Sequence, residues 1–176
     1  MPDQPNPRLE ARAYALMTTR RALTQALAGL SLDQLWAPIA ESGRSLGDIA
    51  RSVWEQEAFW LWPAEIPLPQ LEQRPALEGL LYALVRHRGV TEHLLMDSGD
   101  ADLDRVYVSQ ARGGADDDRV HEPTTLGVIL ETILRNELFA AAETATLRRL
   151  VDPSWADNRE AWDNAAEALA RSRASG

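Results

Sequence analysis

Apolar residues fall at three- and four-residue steps along most of the chain, which is the period of helices with one buried face. Leu9, Ala13, Leu16, Met17, Leu23, Leu27 and Leu30 predict a first helix over residues 8–29, with Gly29 as its stop. Ser31 followed by Asp33 and Gln34 reads as the N-cap of a short turn carrying Leu32, Leu35 and Trp36, and Pro38 breaks the path. Ser45, with Asp48 three residues on, opens a second helix. Its apolar line, Leu46, Ile49, Val53 and then Phe59 or Trp60, ends before Pro63. Prolines at 63, 67, 69 and 75 make the next stretch an extended connector.

A third helix is predicted over 76–97 from Leu77, Leu80, Leu81, Leu84, Val85, Leu94 and Leu95. The period fails from Ser98 to Pro123, where aspartates and Gly113-Gly114 form loops, and Arg105–Ser109 reads either as a short strand or as extended chain. Thr124 or Thr125 starts a fourth helix that carries Leu126, Ile129, Leu130, Ile133, Leu134, Leu138 and Leu147 to about residue 150. Beyond Pro153, Trp155, Trp162 and Leu169 recur every seven residues and predict a last amphipathic helix with a tryptophan stripe. The fold class is therefore all-α: a lead over 1–7, a four-helix bundle over 8–150 and a helical extension over 151–176. The long connectors permit crossovers in place of a plain up-down-up-down array.

Composition narrows the chemistry. The 176 residues include 18 basic side chains, all arginine, against 27 acidic ones, for a net charge of −9. That balance argues against nucleic acid and anionic membrane as partners, since both are polyanions. Without lysine or cysteine there is no Schiff-base chemistry, thiol nucleophile, disulfide or thiolate zinc site. Residues 1–7 do not read as a signal or transit peptide, and no apolar run is long enough to span a bilayer, so a cytoplasmic location is expected.

Two helix starts carry a resemblance. Leu35-Trp36-Ala37-Pro38 with Ser45-Leu46-Gly47-Asp48-Ile49 running to Glu57, and Thr125-Leu126-Gly127-Val128-Ile129-Leu130 running to Asn136-Glu137, resemble helices 2 and 4 of the DinB/YfiT-like family of metalloenzymes. The resemblance implies a DinB-like four-helix bundle, commonly a homodimer, with three histidines holding a divalent metal such as zinc or nickel at one bundle end. Some relatives use that metal for thiol-dependent transferase or isomerase reactions. The family's histidine positions are Ser52, Asn136 and Ala140 in this chain. Hydroxyl and carboxamide are weak ligands for such metals and alanine has no ligand atom, so no metal cofactor is expected.

Carboxylates and histidines elsewhere in the chain are the available substitutes. Glu55, Glu57, Glu131, Glu137 and Glu143 lie on the relevant helices, and carboxylates suit harder ions. Glu137 continues the apolar line of its helix, so it is expected to be partly buried and to need a partner such as Arg20, Arg21 or Arg51. His87 and His93 point about 240° apart around a helix and cannot chelate together. His121, just ahead of the fourth helix, is the best candidate for a pocket-facing proton carrier. Asp100, Asp102 and Asp104 alternate like the opening of a calcium loop, but Arg105 stands where glycine is needed and Ala111 where glutamate should close it, which leaves a solvated acidic loop. The candidate pocket is thus Ser52, Glu57, His121, Asn136, Glu137 and Ala140. The expected function is metal-free: stress-related binding of a small molecule or a dimeric scaffold. The rival is a metal- or thiol-dependent transferase or isomerase that uses carboxylates such as Glu57 and Glu137 with His121 in a bundle-end pocket.

Overall fold

The computed structural model describes residues 6–39, 43–61, 71–107, 123–156 and 159–174, and most of them are helical. Helix α1 spans Pro7–Leu27, α2 Leu32–Trp36, α3 Leu46–Leu61, α4 Leu77–Met96, α5 Leu126–Val151 and α6 Arg159–Ala174. The link from α4 to α5 begins with a 3-10 turn over Asp100–Asp104 and holds one antiparallel pair, β1 (Val106–Tyr107) against β2 (Thr124–Thr125). The strand alternative is the one realised at Val106 and Tyr107. His121, the Asp116–Asp118 run and Trp62 lie outside the described residues.

Local chemistry sets the helix ends. Ser31 Oγ accepts from Gln34 N while Gln34 Oε1 accepts from Ser31 N, a reciprocal cap that holds α2. Ser45 and Asp48 do the same for α3: Asp48 N donates to Ser45 Oγ at 3.1 Å and Ser45 N to Asp48 Oδ2 at 2.8 Å. Thr125 Oγ1 accepts from Val128 N to cap α5. After α1 the chain turns at Gly29, whose φ of +79° favours glycine. Arg148 then reaches across from α5 and donates to the carbonyls of Ala26 and Ala28 at 2.7 and 2.6 Å, which satisfies backbone acceptors at the end of α1.

The acidic loop departs from expectation. Asp100 is not a free surface carboxylate: its two oxygens accept from Leu9 N at 2.9 Å and Arg8 N at 3.3 Å, so it caps α1 from a distant part of the chain. Asp104 pairs with the Arg8 guanidinium at 3.2 Å.

The buried apolar residues form two clusters stacked along the bundle. One gathers Leu23 and Leu27 of α1, Ile49 and Val53 of α3, Leu80 and Leu84 of α4, and Ala140 and Ala141 of α5. The other gathers Leu9 and Leu16 of α1, Leu61 of α3, Leu95 of α4, and Leu126, Ile133 and Leu134 of α5. The order in which each helix visits the clusters gives its direction. α1 and α5 run from the second cluster to the first, whereas α3 and α4 run from the first to the second. Around the ring α1 packs on α5, α5 on α3, α3 on α4 and α4 on α1. α3 and α4 are therefore parallel neighbours, and most of the proline-rich segment between them, including Pro63, Pro67 and Pro69, lies outside the described residues.

Outside this ring α6 packs mainly on α1. Among the side chains described on α6, the buried ones are Ala161, Ala165, Ala168 and Ser172, all small. One member of the expected tryptophan stripe is placed elsewhere: Trp155 precedes α6 and stacks on the Arg148 guanidinium at 4.8 Å. The side chains of Trp162 and Leu169 lie outside the description.

Candidate functional site

Between the two apolar clusters each of the four ring helices contributes one charged side chain at the same level. They are Arg20 of α1, Glu57 of α3, Arg88 of α4 and Glu137 of α5, and all four are buried. Helical spacing explains why they meet the core. Arg20 follows Leu16 by four and precedes Leu23 by three, Glu57 sits between Val53 and Leu61, Arg88 follows Leu84 by four, and Glu137 follows Ile133 by four.

The four side chains form a closed array of alternating sign. Arg20 Nη2 donates to Glu57 Oε2 at 2.5 Å, and Arg20 Nε donates to Glu137 Oε1. Arg88 Nη2 donates to Glu137 Oε2 at 2.5 Å, while Arg88 Nε stands 3.1 Å from Glu57 Oε1. Two hydroxyls complete the coordination: Thr19 Oγ1 donates to Glu137 Oε2 at 2.9 Å and Thr91 Oγ1 to Glu57 Oε1 at 2.7 Å. Arg20 Nη1 ends on the carbonyl of Leu84. Every carboxylate oxygen has a donor, and the array carries no net charge, which is what makes two buried ion pairs tolerable.

The electrostatics follow from this packing. Burial by itself pushes the Glu57 carboxyl up, but the Arg88 and Arg20 guanidiniums outweigh it and hold the group down at about 2. The Arg20 guanidinium, whose burial works against its charge, is held protonated by Glu137 and Glu57. His87, fully buried next to Arg88, is lowered by burial and by the two arginines, against the pull of Glu57. Its ring meets that of Trp54 at 5.5 Å, and among the described residues neither ring nitrogen has a hydrogen-bond partner. His87 is therefore a neutral imidazole in the wall of the charged layer.

Of the residues expected in the pocket, the structure brings together Glu57 and Glu137, which share both arginines. Ser52 is half-buried and its hydroxyl donates to the Ile49 carbonyl at 2.7 Å, back along its own helix. Asn136 is half-buried, and Ala140 is buried among apolar side chains. The other carboxylates go to the surface: Glu55 pairs with Arg51 at 2.8 Å, Glu143 with Arg44 at 3.6 Å and Glu131 with Arg173 at 3.1 Å. Arg20 is the expected partner of Glu137. Arg51 instead binds Glu55 and the carbonyls of Glu72 and Gln73, and Arg21 is exposed on α1. Arg88, Thr19, Thr91 and His87 were not foreseen, although Arg88 and Thr91 continue the Leu80, Leu84, Leu95 stripe that marks the buried face of α4.

A carboxylate held at about 2 and enclosed by donors is a poor base at neutral pH and has no open edge for a cation. Among the described residues no group of three or more histidines, aspartates or glutamates is placed to hold a metal ion, and no helix is long and apolar enough to cross a membrane. No family model, characterised protein or solved structure matches the chain.

Proposed function

We propose that this chain is a DinB-like bundle that works without the family's metal, as a non-enzymatic binding or scaffold protein. The observation that carries this reading is the saturation of Glu57 and Glu137. These two carboxylates are the interior groups best placed to replace lost histidines, and both are committed to Arg20, Arg88, Thr19 and Thr91. The family's own ligand positions add no strong donor, since the Ser52 hydroxyl is turned to its helix backbone and Ala140 is core. The up-down-down-up helix order is the kind of crossover that the long connectors allowed for.

The test is elemental analysis of protein purified without chelators or metal-affinity steps, joined to thermal unfolding with and without zinc, nickel or manganese. The reading expects substoichiometric metal and an unchanged midpoint. One tightly held transition metal per chain, with a midpoint raised by its addition, would overturn it. The homodimer that the resemblance implies belongs to the same reading. Light scattering that shows monomer across a wide concentration range would remove the dimer and leave a monomeric binding protein.

A further inference from the structure

The docking of α6 on α1 leaves a cleft of about 210 Å³ between them, lined by Tyr14, Met17, Thr18 and Arg21 of α1 and by Ala161 and Asn164 of α6. From this geometry we propose that the α1–α6 cleft binds a small aromatic carboxylate, its ring against Tyr14 and Met17 and its carboxylate on Arg21. The site stands apart from the DinB-like reading, because α6 lies outside the four-helix ring.

Three features of the cleft point to that ligand class. Its walls are apolar where a ring would sit: Tyr14 and Met17 are 47% and 52% exposed, a large solvent-facing area for an aromatic and a thioether side by side. Ring stacking and sulfur–aromatic contact both favour an aromatic guest there. On the α6 side the cleft is lined by the small side chain of Ala161.

The second feature is charge. Arg21 follows Tyr14 by two turns of the same helix face, and among the described residues its guanidinium has no ion-pair partner, in a chain of net charge −9. A planar guanidinium recognises carboxylate through two parallel hydrogen bonds. Asn164, exposed on the facing helix, brings an amide that can donate to the same group. The Thr18 hydroxyl donates its proton to the Tyr14 carbonyl at 2.6 Å.

The third feature is size. A closed cavity of about 150 Å³ accommodates benzene, so a cleft of 210 Å³ has room for one ring and a carboxylate but not for a larger cofactor.

The chain contains three methionines, and this permits a direct test. Full-length protein labelled at the methionine methyl carbons is titrated with benzoate, with benzyl alcohol (the ring without the charge) and with acetate (the charge without the ring). Benzoate is expected to shift the Met17 methyl saturably and to leave Met96 of α4 in place, while the two fragments bind at least about tenfold more weakly. Arg21→Gln, on an exposed position, is expected to weaken benzoate about tenfold without altering the free Met17 signal. Ala161→Leu should close the cleft, with its thermal midpoint recorded to confirm that α6 stays docked. The proposal fails if benzoate leaves Met17 unmoved into the millimolar range, if Met96 moves with it, or if Arg21→Gln binds benzoate as tightly as the parent. None of these outcomes bears on metal content, so the two proposals stand or fall separately.

Discussion

Arg20 and Glu57 meet at 2.5 Å at the level where the bundle's apolar core divides in two, from helices at opposite corners of the ring. Arg88 and Glu137 make the corresponding contact at the same distance from the other two corners. Because each arginine also faces the second glutamate, the four helices are tied at one height and cannot slide independently without separating buried charges.

Removing one member should therefore cost more than removing a neutral pair. Arg88→Met leaves a net buried negative charge and is expected to destabilise the fold by about 3–5 kcal/mol. In the double variant Arg88→Met with Glu57→Gln, the Arg20–Glu137 pair stays balanced, and the loss should fall short of the sum of the single losses by about 1–3 kcal/mol. Urea unfolding of the four proteins of this cycle measures the coupling, and additive losses would refute the closed array.

Glu57 makes a pH prediction. Its folded carboxyl lies at about 2, below the ordinary 4.5, so the unfolded chain binds the proton first. The stabilisation is present above pH 4.5 and is lost as pH falls from 4.5 towards 2, in an amount on the order of 3 kcal/mol. Unfolding free energy measured across that window should fall steeply in the parent and less in Glu57→Gln compared with its own value at neutral pH. Equal slopes would count against the assignment.

His87 acts in the same direction at milder pH. Its folded value is lowered from 6.5, so protons bind preferentially to the unfolded chain and stability declines as pH drops below 6.5. His87→Phe keeps an aromatic ring against Trp54 and removes the titration. Its stability should be flat between neutrality and the onset of carboxylate protonation, and a variant that keeps the parent's slope there would show that another group is responsible.

Gly47 is required by packing, not by backbone conformation. A Cβ at this position would lie 2.5–2.8 Å from three ring atoms of Trp36, whose Nε1 is fixed by donation to the Pro75 carbonyl at 3.0 Å. Gly47→Ala is expected to destabilise by about 1–3 kcal/mol through overpacking. Trp36→Leu should reduce that penalty when the two are combined, as read from thermal midpoints, and a harmless Gly47→Ala would show that the ring is free to move.

Asp100 caps α1 across more than ninety positions of sequence, through Leu9 N at 2.9 Å and Arg8 N at 3.3 Å. Asp100→Ala should cost about 1 kcal/mol, in line with a lost N-cap, and accelerate amide exchange in the first turn of α1. Unchanged protection at Leu9 would argue that the cap contributes nothing.

The sequence by itself determined the helices and the local caps at Ser31, Ser45 and Thr125, because these depend on a 3.6-residue period and on contacts three or four residues apart. By contrast, Met17, Phe59 and Val85, read on the apolar lines, are exposed, and the start of α1 is capped by Asp100 from a distant part of the chain. Glu137 was legible as a partly buried carboxylate because it continues an apolar line, Arg20 as one of three possible partners, and Glu57 as a pocket candidate only because it is a carboxylate on the relevant helix. Arg88 carried the same signal beside Leu84, but nothing local says whether charges on four separate stripes fall at one height. Height is fixed by connector length and helix direction, and α3 and α4 run parallel. Only the tertiary structure decided that two arginines and two glutamates would cancel one another in the interior, because that cancellation is a sum over helices that no single stretch of chain contains.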